Sequence, residues 1–234
     1  MIYNPLNFPA STIVAKNVPK NAFYKRAKPQ RITALRTFLT DAFDSIQWLY
    51  KLHPSTLNIA DGQQVHEIDV FYGKMKTTHI DVKLLSELDM LLPRHTLYII
   101  ERNEKTSLLI HPKTVNAQGN ITQTGKMEVW KDVDLTAQPL TIIGHDMDML
   151  YGYFLGKLSQ LNTLTQAEYA KAAKQRQQQE LLKRQYAALQ KKMRAEKQFS
   201  RQLEMNRELK ELKAKIELSL ENGNFILNAQ QQCK

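Results

Sequence analysis

The last third of the chain is the feature that most limits the possible folds. From residue 165 onward there is no proline and no tryptophan, and the one glycine is Gly223. Proline and glycine are the residues that most often end a helix, so the segment from Thr165 to Glu221 is predicted to form one continuous helix. A helix of about 57 residues would extend roughly 85 Å at 1.5 Å per residue.

Apolar residues follow this predicted helix in two blocks, each with a spacing of four, three and four residues. The seam residues are Leu182, Tyr186, Leu189, Met193, Met205, Leu209, Leu212 and Ile216. This spacing is typical of a coiled coil, although Phe199 and Leu203 between the blocks are out of register. Such a long helix cannot cover its seam on a small domain. We therefore expect coiled-coil dimerisation, with docking on another protein or a solitary charged helix as the alternatives. A fold-back is disfavoured, because no glycine or proline interrupts the helix before Gly223.

Residues 1–164 are predicted to form a globular α+β domain, and residues 165–234 a separate helical segment. The globular part has helical apolar periodicity at 29–46 and 80–93, and Asp146 is predicted to cap a further helix. Strands are predicted at 46–52, 65–76, 96–101, 107–111, 126–133 and 139–143. This order indicates helices packed on a mainly antiparallel sheet, followed by the long C-terminal helix or coiled coil.

Charge and cysteine content restrict the partners and the compartment. Residues 165–234 carry fifteen Lys and Arg against eight Asp and Glu, whereas residues 1–164 carry eighteen against fifteen. This excess favours phosphate backbones or acidic proteins as partners, although it also suits the solvated face of a long helix. The single cysteine, Cys233, excludes an intrachain disulfide. The N-terminus does not have the pattern of a signal peptide, and no apolar run has the length of a membrane span, so we expect a cytoplasmic protein.

A basic flank lies between Lys16 and Arg36, where seven Lys and Arg occur without any acidic residue. Phe23 and Tyr24 interleave with these cations, a composition that suits phosphate contacts combined with base stacking. The alternative is that both aromatic residues pack on the core while the cations stay solvated. The residues predicted to contact nucleic acid are Lys16, Lys20, Tyr24, Lys25, Arg26, Lys28 and Arg31.

Recognised catalytic motifs are absent from the sequence. There is no phosphate-binding glycine loop and no GxSxG, and the six histidines show neither HxH nor HExxH spacing. A PD-(D/E)xK nuclease is the enzyme alternative, with Glu67, Asp69 and Glu101 as the acids that would hold Mg²⁺. The lysine expected two residues after the acid is missing. We therefore predict no catalytic residue, no metal site and no cofactor.

Four segments resemble a known family: FPASTIVAKNVPKNAFYKRA, SIQWLYKLHPSTLNI, VHEIDVF and IDVKLLSELDMLLPRHTLYII. The chain is similar over about residues 5–160 to an uncharacterised bacterial family, the domain of unknown function 4391. The most specific part of the resemblance is a W-x-Y-K-L…T-x-N-I signature. It is carried by Trp48, Tyr50, Lys51, Leu52, Thr56, Asn58 and Ile59.

The resemblance implies no known activity, but members of this family typically lie among helicase and DNA methyltransferase genes of restriction-like defence islands. It therefore implies a non-enzymatic accessory subunit that assembles with such a helicase or methyltransferase subunit. On this basis we expect a homo- or hetero-oligomer formed through the C-terminal helix, with DNA as a further partner. The alternatives are a divergent metal-dependent nuclease and a purely structural scaffold. Of the signature segment, Trp48 and Tyr50 are interpreted as core residues, and Lys51, Ser55, Thr56 and Asn58 as a hydrogen-bonded loop that fixes a strand crossover. The alternatives are that Trp48, Tyr50, Lys51, Thr56 and Asn58 form a surface for a partner subunit or DNA, or that the segment is catalytic.

Overall fold

The computed structural model describes residues 4–116 and 118–231, with side chains described as far as residue 219. The chain divides into two compact units, residues 1–166 and residues 167–234. The first unit contains a mixed sheet and five α-helices, and the second consists of two long helices.

A six-stranded sheet forms the centre of the first unit. Its strand order is β1-β2-β3-β4-β5-β8, and a separate hairpin pairs β6 with β7. The strands are β1 (Ile13–Asn17), β2 (Phe43–Leu52), β3 (Ile68–Met75), β4 (His95–Arg102), β5 (Lys105–Ile110), β6 (Lys113–Val115), β7 (Ile121–Gln123) and β8 (Glu128–Val133). Neighbouring strands are antiparallel except β3 and β4, which are parallel.

Helices cover both faces of the sheet. They are α1 (Asn21–Tyr24), α2 (Pro29–Ala42), α3 (Pro54–Leu57), α4 (Val82–Asp89) and α5 (Met147–Ser159). Helix α4 is the crossover between parallel strands β3 and β4, as such a connection requires. Helices α1, α2 and α4 pack on the face that carries Phe71. On the other face Phe8 lies between Tyr50 and Phe154 of α5, with ring centroids 5.2 and 6.2 Å away.

Local capping explains where several helices begin. The Asp146 carboxylate accepts a hydrogen bond from the Met149 N–H at 2.8 Å, which confirms the predicted cap of α5. Asp81 caps α4 in the same way, and Pro29 is the first residue of α2. Proline suits this position because its missing N–H would have no partner in the first turn of a helix.

The predicted mainly antiparallel sheet with packed helices is confirmed, but several details of the prediction are wrong. No strand is assigned at 139–143, and the short β6–β7 hairpin, which was not predicted, precedes β8. The predicted helix from residue 29 to residue 46 ends at Ala42, because the backbone becomes extended at Phe43 and the chain continues directly into β2.

The second unit contradicts the prediction of one unbroken helix. Helix α6 (Gln166–Ala195) and helix α7 (Phe199–Gln231) are separated by residues 196–198. The Glu196 side chain accepts hydrogen bonds from the N–H groups of Lys197 and Gln198, each at 2.9 Å. These bonds stabilise a break in the helix that needs neither glycine nor proline.

The two helices fold back on each other, which the sequence argument had disfavoured. Gln179 of α6 donates its side-chain N–H to the Ser219 carbonyl oxygen of α7 at 2.7 Å. Gln179 and Ser219 lie equally far along the chain from position 199. The apolar residues of the two blocks are also placed at equal distances on either side of this position. Extended along both helices, the register predicts four opposite pairs, namely Leu182–Ile216, Tyr186–Leu212, Leu189–Leu209 and Met193–Met205. All eight side chains are buried or half-buried. Leu209 is the one that is fully buried, so the fold-back covers the seam largely, though not completely, within the chain. This removes the reason given for covering the seam with another molecule, and association with a partner stays a prediction.

Candidate functional site

Four charged side chains meet where β2 ends and where β3 and β4 begin, and we call them the strand-end cluster: Lys51, Glu67, Asp69 and Arg94. The sheet register places Lys51 opposite Asp69 in the neighbouring strand. The Lys51 ammonium lies 3.0 Å from one Glu67 carboxylate oxygen, and the Arg94 guanidinium lies 2.7 Å from the other. Arg94 also lies 3.3 Å from Asp69. Three strands thus bring two acids and two cations together.

Asp69 has the most perturbed carboxyl group of this cluster. Its residue is 7% exposed, and its Oδ1 atom has no hydrogen-bond partner among the described residues. Burial raises the pKa of Asp69 to about 6; the neighbouring Glu67 charge adds to this, and Arg94 opposes it. Burial and a like charge both disfavour the ionised form. Asp69 therefore takes up a proton close to neutral pH.

A second network of ion pairs and hydrogen bonds is fully buried and is centred on Asp89, the last residue of α4. The Lys113 ammonium is 2.9 Å from an Asp89 carboxylate oxygen, and it also donates to the Arg94 carbonyl oxygen at 2.9 Å. The hydroxyl groups of Thr96 and Tyr98 donate to the same Asp89 oxygen. Burial lowers the pKa of Lys113, whereas the Asp89 charge raises it. A buried ion pair with additional hydrogen bonds is the arrangement in which both charges are tolerated in a protein interior.

The two histidines beside this network are held neutral. His111 donates from Nε2 to the Gly125 carbonyl oxygen at 2.8 Å and accepts at Nδ1 from the Gln123 side chain at 2.6 Å. Burial lowers the pKa of His111, and burial together with Lys113 lowers the pKa of His95 to about 4. Both rings therefore have the properties of structural, uncharged groups at pH 7.

The three acids of the nuclease alternative are not brought together. Asp69 lies opposite Thr96 in the sheet, whereas Glu101 is five residues further along β4, roughly 17 Å away at the rise of a strand. Glu101 accepts a hydrogen bond from the Tyr72 hydroxyl at 2.7 Å. Among the side chains that the structure describes, in residues 4–116 and 118–219, there is no group of three His, Cys, Asp or Glu that could hold a metal ion. The motif expects a lysine two residues after the acid, and the sequence has none there. Lys51, from the neighbouring strand β2, nevertheless lies next to Glu67.

The basic flank divides into engaged and exposed residues. Arg31 forms a bidentate ion pair with Glu87 at 2.7 and 2.6 Å, and Lys20 donates to the Phe43 carbonyl oxygen at 2.5 Å. Tyr24 is half-buried and packs against the core. The remaining predicted cations are exposed, and they are Lys16, Lys25, Arg26 and Lys28. Of the seven residues predicted to contact nucleic acid, these four present a charge that a phosphate could reach without breaking a contact within the chain.

Most of the signature residues have internal partners that fix the crossover after β2. The Tyr50 hydroxyl donates to the Asn4 side chain at 2.5 Å, and Trp48 packs partly buried against the core. The Thr56 hydroxyl donates to the Lys51 carbonyl oxygen and accepts from the His53 N–H, both at 3.0 Å. Asn58 ends α3 in the left-handed conformation, with a φ of 56°. Lys51 is the exception, because its charge belongs to the strand-end cluster.

The family comparison covers both units. The chain matches the family described as Domain of unknown function (DUF4391) over residues 6–216. The chain belongs to this family. The DUF4391 match extends through α6 and about half of α7, so the expected limit near residue 160 was too short and the helices are part of the family's domain.

The other comparisons add no relative. Neither the curated proteins nor the solved structures contain a match to this chain. Among the described residues, no helix combines the length and the apolar character that crossing a membrane requires.

Proposed function

We propose that this DUF4391 protein is a non-enzymatic accessory subunit of a bacterial restriction-type defence complex, in which it helps a helicase or methyltransferase subunit to hold DNA. The observation that carries the DNA contact is the exposed part of the basic flank, Lys16, Lys25, Arg26 and Lys28. Exposed cations bind phosphate through counterion release and without base specificity, so we expect DNA binding that depends strongly on salt.

Charge reversal tests the DNA contact. The triple variant Lys25→Glu, Arg26→Glu and Lys28→Glu should weaken binding to duplex DNA, and it should reduce the slope of log affinity against log salt by roughly three, about one for each lost phosphate contact. Fluorescence anisotropy at several salt concentrations measures both quantities. The matched control changes the exposed lysines Lys105, Lys126 and Lys131 to Glu, which alters net charge equally. Equal weakening in both triple variants would refute a specific role of the flank.

Assembly is proposed to use the outer surface of the helical unit, since its seam is already largely covered. Leu181 of α6 and Leu218 of α7 are 55% and 60% exposed, so each helix presents a large apolar side chain to solvent. The full-length chain should co-purify from its host with a helicase or methyltransferase, and Leu181→Ser/Leu218→Ser should lose this partner. Recovery of neither kind of enzyme would contradict the proposed complex.

A second candidate function, metal-dependent DNA cleavage, is favoured by one observation. Lys51, Glu67 and Asp69 bring together two acids and a lysine, the residue types of a PD-(D/E)xK site. Incubation of the purified protein with plasmid and Mg²⁺ or Mn²⁺ separates the two functions. An accessory subunit leaves the plasmid intact. Cleavage that Asp69→Asn abolishes and Asp134→Asn retains would favour the nuclease instead.

A further inference from the structure

The turn between α6 and α7, with the helix ends on either side of it, presents an apolar side chain to solvent on an ordered support. We call residues 191–207 the hairpin tip. Phe199 is 77% exposed and Leu203 is 47% exposed, and their spacing of four residues places them on one face of α7. The Gln202 side chain donates to the Glu196 carbonyl oxygen at 2.7 Å. This hydrogen bond connects the first turn of α7 to the start of the connection, next to the exposed Phe199 ring.

Phe199 and Leu203 line a shallow groove together with Met193, Arg194, Gln202 and Asn206. This groove is bounded by both helices of the second unit, so it exists only because the chain folds back. Polar and apolar groups alternate along it. A flat apolar ring beside amide groups and a guanidinium is suited to a ligand with an aromatic face and hydrogen-bonding edges.

The hairpin tip is also strongly basic. Six Lys and Arg stand against two acids, Glu196 and Glu204. The basic residues are Lys191, Lys192, Arg194, Lys197, Arg201 and Arg207, and all six are exposed. Glu196 is already used in the turn and lies 4.0 Å from Arg201. The charge available to a ligand is thus almost entirely positive.

Exposed aromatic rings interleaved with cations are the means by which proteins bind single strands without reading their sequence. The phosphates pair with the cations, and an unpaired base stacks on the ring. We propose that the hairpin tip binds single-stranded nucleic acid, with an unpaired base stacked on Phe199 and the backbone held by Arg194 and Lys197. This site is on a different unit from the basic flank, and it extends the proposed DNA contact from duplex to unpaired DNA.

Fluorescence anisotropy of full-length protein with a labelled thymidine oligonucleotide tests this site. Phe199→Ala should raise the dissociation constant about tenfold, since stacking of one base contributes on that order. Phe199→Trp should retain binding, because indole stacks at least as well as phenyl. Ile143→Ala is the matched control, as it removes an exposed apolar side chain outside the tip. Circular dichroism should show unchanged helix content, since the Phe199 side chain is largely exposed to solvent.

Three results would overturn the proposal. They are no binding of the oligonucleotide, equal affinity of wild type and Phe199→Ala, and loss of binding in Ile143→Ala to the same extent. Sedimentation with anionic lipid vesicles that Phe199→Ala abolishes, without oligonucleotide binding, would assign the tip to a membrane surface instead. The flank triple variant separates this site from the proposed function: it should weaken duplex binding and leave oligonucleotide binding within about twofold, because its charges lie in the other unit.

Discussion

Asp69 holds its proton tightly because its carboxyl group has little contact with water and lies beside Glu67. Its folded pKa of about 6 lies above the ordinary value of 3.8. The folded state therefore binds this proton more strongly than the unfolded state does. The contribution of Asp69 to stability is present at low pH and is lost as the pH rises from about 4 through 6.

Asp69→Asn should remove this loss, because the amide is uncharged at every pH and can still donate to Glu67. We expect the variant to be more stable than the wild type by about 2 kcal/mol at pH 7.5, and the difference to fall below about 1 kcal/mol at pH 4. Urea unfolding at the two pH values measures the difference. His95 and His111 titrate in the opposite direction in both proteins, so their effects cancel. A difference that does not change with pH would contradict the raised pKa.

The Asp89–Lys113 pair makes a different residue-scale prediction. Removal of one partner leaves a buried, uncompensated charge, so Lys113→Met should lower the free energy of unfolding by about 3–5 kcal/mol. Addition of Asp89→Asn should restore part of the loss, because the orphaned carboxylate is then neutral. Urea unfolding of both variants measures the coupling. Lys74→Met, at an exposed lysine, is the control and should change little. A double variant less stable than Lys113→Met would refute the pairing.

Predictability at this scale depends on how far apart the interacting residues are in sequence. The Asp146 cap was predictable, because its partner is three residues away. The Lys51–Glu67 pair was not, since it depends on the strand register across a connection of fifteen residues. A second long-range contact involves Asp148 of α5, whose carboxylate accepts hydrogen bonds from the N–H groups of residues 63–65. Nothing in the local sequence indicates that long-range contact.

At the scale of elements, the apolar spacing identified the seam of the C-terminal helices but not the helix that this seam faces. The 4-3-4 spacing correctly indicated which face of each helix is covered. The mirror symmetry of the two blocks about Phe199 is the signal that could have indicated an antiparallel pairing within the chain. A helix break without glycine or proline is hard to predict, because here it is stabilised by side-chain hydrogen bonds of Glu196.

A charge exchange across the seam tests this register. Leu189→Glu and Leu209→Lys should each destabilise the second unit by about 2 kcal/mol, because each places an unpaired charge in an apolar seam. The double variant should recover about 1 kcal/mol at low salt, since the register places the two charges opposite each other. Thermal unfolding followed by circular dichroism at low and high salt measures the recovery.

The control for this exchange keeps the same chemistry but changes the partner. Leu189→Glu combined with Ile216→Lys places the two charges seven residues out of register. That combination should show no recovery, because roughly 10 Å along the helix axis separates the charges. Equal recovery in the two double variants would rule out the register set by Gln179 and Ser219.

At the scale of the whole molecule, composition separated a globular part that holds all eight prolines and both tryptophans from a helical part that has neither. The sheet order followed less directly, because only the crossover through α4 determines that β3 and β4 are parallel. The oligomeric expectation depended entirely on an uncovered seam. Once the seam is paired within one chain, the physical reason for self-association through it disappears.

We therefore expect the full-length chain to be a monomer, with light scattering giving a mass near 27.1 kDa at micromolar concentration. Leu209→Glu should behave differently, because a charge at this buried position opens the hairpin and exposes the apolar residues of both helices. That variant should associate or aggregate, whereas Leu218→Glu, at an exposed position, should remain monomeric. A wild-type mass of two chains that Leu209→Glu reduces to one would show that the seam joins two molecules, and would return the helices to the dimer that their spacing first predicted.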